Sequence, residues 1–101
     1  MARLVWSARS QDDLQTILEF VRRDSEAAAL ALVTRIVLGA QRLQEFPDSG
    51  RRLPELRATA LREVIVRPYR IIYVPTAETI SVVTVRHAAR LLDREDITAD
   101  D

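Results

Sequence analysis

Between Leu61 and Arg90 the chain gathers side chains that could bind or stabilise negative charge: Arg62, Arg67, Arg70, Arg86 and Arg90, beside Glu63, Tyr69, Tyr73 and His87. The stretch ends in Arg86-His87-Ala88-Ala89-Arg90, and no lysine occurs anywhere, so every side-chain cation but histidine is a guanidinium. Guanidinium stays protonated at any working pH and grips carboxylate or phosphate through two parallel hydrogen bonds; it stabilises charge but cannot serve as a base. The cluster therefore suits a phosphate site or an acidic protein partner. His87 is the one group whose ordinary titration lies near neutrality.

Three strands must position these groups. Leu61 to Arg67, Tyr69 to Val74 and Thr79 to His87 alternate with a period of two, with Pro68 between the first pair and Pro75-Thr76-Ala77-Glu78 turning the last. An antiparallel meander follows. Arg62 and Glu63, as neighbours, point to opposite faces, so they cannot enter one site together, and one of them is expected to pair across the sheet. Arg70 faces away from Tyr69 and Ile71, where a cross-strand ion pair is the first expectation and a groove-lining role the second. Tyr69 and Tyr73 share the face of Ile71 and should pack against helices. His87 shares a face with Val83 and Val85, which favours a hydrogen-bonded structural histidine over a catalytic one.

Upstream, Arg3 to Ser7 reads as a short strand closed by a serine able to cap a helix. Ser10 and Asp13 have capping-box spacing, and Leu14, Ile17, Leu18 and Val21 form an apolar stripe. Ser25-Glu26 opens a second helix lasting to about Glu45, with Leu32, Val33, Ile36, Ala40 and Leu43 toward the core. Leu30, Val37 and Leu38 lie partly off that stripe; deeper burial against the first helix or the sheet is the expected use, a docking face the alternative. Trp6 is expected in the core. Pro47-Asp48-Ser49-Gly50 is a turn, and Arg51 to Ala60 reads as a solvated linker whose arginines Arg51, Arg52 and Arg57 belong to the surface. The acidic tail, residues 93–101, is expected to fray after one helical turn.

The bulk numbers exclude several classes. At 101 residues and 48% hydrophobic content the chain is expected to be one α+β domain spanning 1–101. Fifteen arginines balance fifteen acids, which excludes nucleic-acid binding through a uniformly positive surface. Without cysteine there is no thiol nucleophile or disulfide, and one histidine among scattered acids has no metal-ligand spacing. With only two glycines there is no phosphate-cradling loop, so no cofactor is expected. The N-terminus has no apolar signal core, and no run approaches the roughly 20 residues of a membrane span. A soluble cytoplasmic protein is expected.

The order strand, helical hairpin, linker, meander, together with Trp6-Ser7-Ala8, Asp13-Leu14, Phe46-Pro47-Asp48-Ser49-Gly50-Arg51, Leu61-Arg62-Glu63, Pro68-Tyr69-Arg70-Ile71-Ile72-Tyr73 and Val85-Arg86-His87-Ala88-Ala89-Arg90, resembles the RelE/ParE toxin superfamily of bacterial toxin–antitoxin systems, with details closer to the ParE branch. The resemblance implies a helical hairpin packed on a mostly antiparallel sheet, a cognate antitoxin, and one of two targets. A ParE-like toxin acts on DNA gyrase by protein binding, with Arg70, Arg86 and Arg90 as the expected contacts. A RelE-like toxin cuts messenger RNA on the ribosome, and Arg62, Arg70, Arg86 and His87 would then supply cations and proton transfer. Neutral charge, the single histidine and the acidic tail place the gyrase reading ahead; a non-toxic antitoxin-binding relative is a third reading. Leu4, Val5, Leu30, Val37 and Leu38 are the expected antitoxin surface in a hetero-oligomer.

Overall fold

Ser7 closes the first strand, β1 (Arg3–Trp6), and starts the first helix, α1 (Ala8–Arg22), in a computed structural model that describes residues 1–98. Its hydroxyl oxygen accepts the Ser10 amide hydrogen at 3.0 Å, and its own O–H donates to the Val83 carbonyl at 2.7 Å. One residue thus caps the helix and ties it to the sheet. The Ser10–Asp13 capping box does not form. Ser10 is buried and donates to the Ser7 carbonyl, while Asp13 reaches the sheet and accepts from the Val85 amide at 2.9 Å and from the Thr84 hydroxyl.

The second helix, α2 (Glu26–Arg42), begins at Ser25, whose Oγ accepts the Ala28 amide hydrogen at 3.1 Å. Ile17 of α1 and Leu32, Ile36 and Ala40 of α2 meet Ile71, Val82 and Val85 of the sheet. Leu43 meets Tyr73 and Ile80 farther along the same face. Each large apolar residue here is worth about 2–5 kcal/mol against truncation to alanine.

The sheet has five strands in the order β1-β5-β4-β3-β2, where β2 is Arg51–Arg52, β3 Arg62–Val66, β4 Tyr69–Pro75 and β5 Thr79–His87. β1 runs parallel to β5, and the other pairs are antiparallel. The meander is as expected; the solvated linker is not. Arg51 and Arg52 pair with Glu63 and Arg62, a 3₁₀ turn follows at Pro54–Leu56, and Leu53 is buried with Leu61, Ile72 and Leu92 on the face opposite the helices. A two-residue strand of exposed arginines has no period to read, and the apolar Leu53 found its cover only in tertiary contact.

A register shift between Ile72 and Tyr73 places one extra residue in β5. Val82 and Val85 both face the helices, and Val83 packs on the opposite side. The shift breaks the expected common face of Val83, Val85 and His87. A helical turn, α3 (Arg94–Thr98), ends the described chain. The helical turn expected in the acidic tail is this one, and the fraying expected after it falls on 99–101, which lie outside the described residues.

Candidate functional site

Arg70 and Arg86 stand directly opposite each other on β4 and β5. Arg70 is only 3% exposed. Its Nε donates to Glu63 Oε1 at 2.8 Å, its Nη1 and Nη2 form a two-pronged contact with Glu55 at 2.8 and 3.0 Å, and Nη1 also donates to the Arg90 carbonyl at 3.1 Å. Arg51 covers the second oxygen of Glu63. The expected cross-strand ion pair is present, and a second acid arrives from the 3₁₀ turn. Burial pushes the Arg70 guanidinium down, but its hydrogen bonds to Glu55 and the charge of Glu63 outweigh it and raise it above the usual arginine range.

Glu55 is the loop half of this contact. Burial raises its carboxyl, yet the hydrogen bonds from Arg70 and from the Leu92 amide (3.0 Å) bring it down to about 2 from 4.5. A carboxylate lowered on folding stabilises the fold above its unfolded titration and loses that contribution as pH falls through its folded value. Stability to urea is therefore expected to decline progressively between about pH 5 and pH 2, and Glu55→Gln should flatten that slope. An unchanged slope in the variant would exclude Glu55 as its source.

Arg86 is 6% exposed and holds the other side of the same C-terminal segment. Its Nη1 donates to the Leu91 carbonyl at 3.1 Å and lies 3.6 Å from Asp96 Oδ2, and Arg9 donates to the Asp96 carbonyl at 2.6 Å. Its Nε is buried with no hydrogen-bond partner among the described residues. Burial pushes this guanidinium down; Asp96 opposes the shift and Arg90 adds to it. Asp93 and Asp96 exchange side-chain-to-amide hydrogen bonds at 3.0 and 3.1 Å and so start α3. The two buried arginines thus fasten residues 90–96 across the end of the sheet, leaving Arg90 exposed.

The remaining candidates lie elsewhere. Arg62 sits opposite Tyr73, three residues along β3 from the level of Arg70, about 10 Å away along the strand. It donates to the Gly50 carbonyl at 2.7 Å and lies 3.7 Å from Asp48. Tyr73 is fully buried: its hydroxyl donates to the Pro47 carbonyl at 2.7 Å and accepts the Gly50 amide hydrogen at 3.0 Å, and burial raises its pKa. His87 is exposed, its Nδ1 accepts the Ala89 amide hydrogen, and its ring stands edge-on to Tyr69 at 5.9 Å. Among the described residues Arg70 and Arg86 line different clefts, and no cleft brings Arg62, Arg70, Arg86 and His87 around one phosphate. Among the described residues there is no group of three potential metal ligands.

Leu4, Val5 and Val37 line one open groove with Trp6 and Leu14, along the strand that forms the sheet edge. Leu30 and Leu38 are 52% and 58% exposed, so the surplus apolar face of α2 is not covered by α1 or the sheet. Trp6 packs on the core but remains half-buried. Sequence reasoning missed the positioning roles of Glu55 and Asp13. Glu55 stands in a segment without periodicity, and Asp13 also fits a capping rule. Exposed Phe20, Phe46, Ile65 and Leu91 were likewise unmarked.

A helical hairpin packed on one face of this five-stranded, mostly antiparallel sheet is the architecture of a RelE/ParE-type toxin. The solved structure "Chromosomal ParDE TA system from P. aeruginosa" has the same fold, with a TM-score of 0.72 over 86% of this chain and 96% of that one at 21% identity. Toxin RelE2 of Caulobacter vibrioides is 38% identical over 92 residues, covering 90% of this chain and 100% of the relative. Putative toxin Y4kP of Sinorhizobium fredii is 32% identical over 89 residues, 85% of this chain and 88% of its own length. Residues 4–92 match the family model described as the ParE toxin of the type II toxin–antitoxin system parDE, and the chain belongs to that family. It is the toxin component of such a system. Among the described residues no helix is long and apolar enough to cross a membrane.

Proposed function

We propose that this toxin acts by holding a protein, DNA gyrase, and that a cognate antitoxin neutralises it by covering the β1 edge and the outer side of α2. The observation that carries the first part is the dispersal of the groups a ribonuclease would need. Arg70 and Arg86 are spent on the chain's own C-terminal segment, Arg62 lies toward the other end of its strand, and among the described residues His87 meets the Ala89 amide and the Tyr69 ring rather than a charged group. Attack by a ribose hydroxyl needs a base, an acid and cations within hydrogen-bond reach of one phosphate. Binding needs only a shaped, charged surface. Arg90 is the exposed arginine of the expected target contacts, and Arg70 and Arg86 serve by positioning it. The toxin and its partners meet in the cytoplasm.

Two assays decide between the targets. Purified toxin is expected to inhibit supercoiling by gyrase while a reconstituted translation system keeps its messenger intact, and His87→Ala should inhibit as well as the unaltered chain. Messenger cleavage that disappears with His87→Ala would establish the ribonuclease reading instead. Toxin without effect in either assay, and harmless when expressed alone, would be an antitoxin-binding relative.

The antitoxin surface rests on the apolar groove beside an edge strand together with exposed Leu30 and Leu38. Val37→Asp places a charge in that groove, where docking would desolvate it, and should weaken antitoxin binding by well over tenfold, or more than about 1.4 kcal/mol. Calorimetry on the folded variant checks this, and unchanged affinity places the antitoxin elsewhere.

A further inference from the structure

The outer edge of β3 is open at residues 64–66. β2 covers only Arg62 and Glu63, and among the described residues no other strand lies on that side. The Leu61 carbonyl accepts the Leu53 amide hydrogen at 3.1 Å and the Glu63 carbonyl lies against Gly50, so alternate peptide groups from Leu61 onward face the β2 side. Two residues further, the N–H and C=O of Ile65 face the same way with no strand to receive them. Edges of this kind are ordinarily guarded by charge, proline or cover. Here the uncovered residues are Val64, Ile65 and Val66, and Ile65 is 45% exposed. A cavity lies on each side of the edge, and Ile65 lines both. One of about 360 Å³, on the helix side, is walled by Leu43 and Phe46, and one of about 290 Å³, on the opposite side, by Ala88 and Leu91.

We infer that an extended, acidic segment of the toxin's protein target adds to this edge as a further strand, its alternate side chains entering the two cavities. The inference rests on the reading of the toxin as a protein-binding inhibitor and adds where, and in what conformation, the target is held. Charge selects the segment. Arg42 borders the helix-side cavity with its guanidinium 5.8 Å from the centre of the Phe46 ring, Arg67 borders the other cavity, and Arg35 donates to the Arg67 carbonyl at 3.1 Å. All three arginines are exposed, and none pairs with a carboxylate among the described residues. The acids near the edge are already engaged: Glu63 by Arg70 and Arg51, Glu55 by Arg70, and Asp48 by Arg62 at 3.7 Å. Glu45 lines neither cavity. Position selects the target over the antitoxin. Ala88 and Leu91 flank the exposed Arg90, the arginine already assigned to the target, whereas the antitoxin surface follows β1 at the other edge of the sheet. In such an added strand, backbone pairing supplies affinity and the alternate side chains supply specificity.

The test uses the full chain, with gyrase in the supercoiling assay and, independently of gyrase, a capped probe, acetyl-valyl-glutamyl-valyl-glutamyl-valine amide, beside its glutamine counterpart. Each probe is titrated while backbone amides are followed by NMR. The glutamate probe is expected to shift the amides of 64–67 saturably, to slow exchange of the Ile65 amide hydrogen, and to bind at least tenfold more tightly than the glutamine probe. Ile65→Pro removes that hydrogen at a position where an edge strand tolerates proline, and Arg67→Glu reverses a charge without touching the backbone. Each should weaken the glutamate probe at least tenfold and raise the toxin concentration that halves supercoiling by the same factor. Thermal unfolding checks that both variants fold, and Arg67→Glu decides alone if Ile65→Pro does not. Equal affinity for the two probes, shifts confined to other surfaces, no saturable shift, or unchanged probe binding by Arg67→Glu would each overturn the inference. So would an Arg67→Glu chain that loses affinity for its antitoxin yet inhibits gyrase in full, which gives the edge to the antitoxin. The two arms also separate the inference from the wider reading. A toxin that inhibits gyrase but ignores the glutamate probe loses this edge alone, and one that binds the probe at β3 but leaves gyrase active loses that target alone.

Discussion

Arg70→Ala is expected to lower the free energy of unfolding by about 3–5 kcal/mol, because it removes one partner of a buried ion pair and leaves the other charged and uncovered. Glu63 is buried with Arg70, and Arg51, its remaining partner, is mostly exposed and holds it from the surface. A domain of this kind has only about 5–15 kcal/mol in total, so the variant should be near the edge of folding. Urea unfolding monitored by Trp6 fluorescence measures the change. Arg70→Lys should recover little, since an ammonium cannot fork to Glu55 while also reaching Glu63 and the Arg90 carbonyl. Arg51→Ala, at the exposed end of the same network, should cost no more than about 1 kcal/mol. If Arg70→Ala and Arg51→Ala cost the same, the network does not depend on its buried centre. The functional consequence is specific. With Arg70 gone, the Arg90 carbonyl and, through Glu55, the Leu92 amide lose their tether, and hydrogen exchange should rise across 88–96 before it rises in α2.

Gly50→Ala is the second large effect, at about 3 kcal/mol. A β-carbon at Gly50 would lie 2.5 Å from the Glu63 carbonyl oxygen and 2.6 Å from the Tyr73 hydroxyl. Neither neighbour can yield: the first is strand backbone, and the second is a fully buried ring whose hydroxyl bonds Pro47 and Gly50. Moving the ring would strand a buried hydroxyl. Gly39→Ala makes the contrast. Its β-carbon would meet methyl groups of Val66 and Ile71 at 3.1 and 3.5 Å, which can give slightly, and alanine gains about 0.5–1 kcal/mol of helix preference in return. Thermal unfolding should place Gly39→Ala near the unaltered chain and Gly50→Ala well below it. Equal midpoints would mean that the turn at Gly50 relaxes at little cost.

Much of the fold was legible because its signals are local. Ser7 and Ser25 each precede a helix and cap it through their own hydroxyls, and the alternation from Arg62 to His87 gave the meander. Arg51-Arg52 escaped because a strand of two residues has no period, and the β5 irregularity escaped because it consists of one extra residue whose position only the partner strand defines. The candidate site was legible as an inventory. That Arg70 and Arg86 belong to neighbouring strands was legible too, though not that they stand opposite each other. That they face inward, onto residues 90–96 of their own chain, was not, since nothing at Arg70 or Arg86 announces the arrival of Glu55 and Leu91.

The sequence by itself determined the helix starts, the order of elements, the absence of lysine and cysteine chemistry, and the resemblance that the family comparison bears out. These are properties of residue type and near-neighbour spacing, which the chain carries whether folded or not. Only the tertiary structure decided which arginines remain available. A guanidinium becomes a fastener or a contact according to whether carboxylates and carbonyls from distant segments surround it, as at Arg70 and Arg86, or leave it exposed, as at Arg90. Burial is a property of the assembled layers, and it separates two arginines that look alike along the chain.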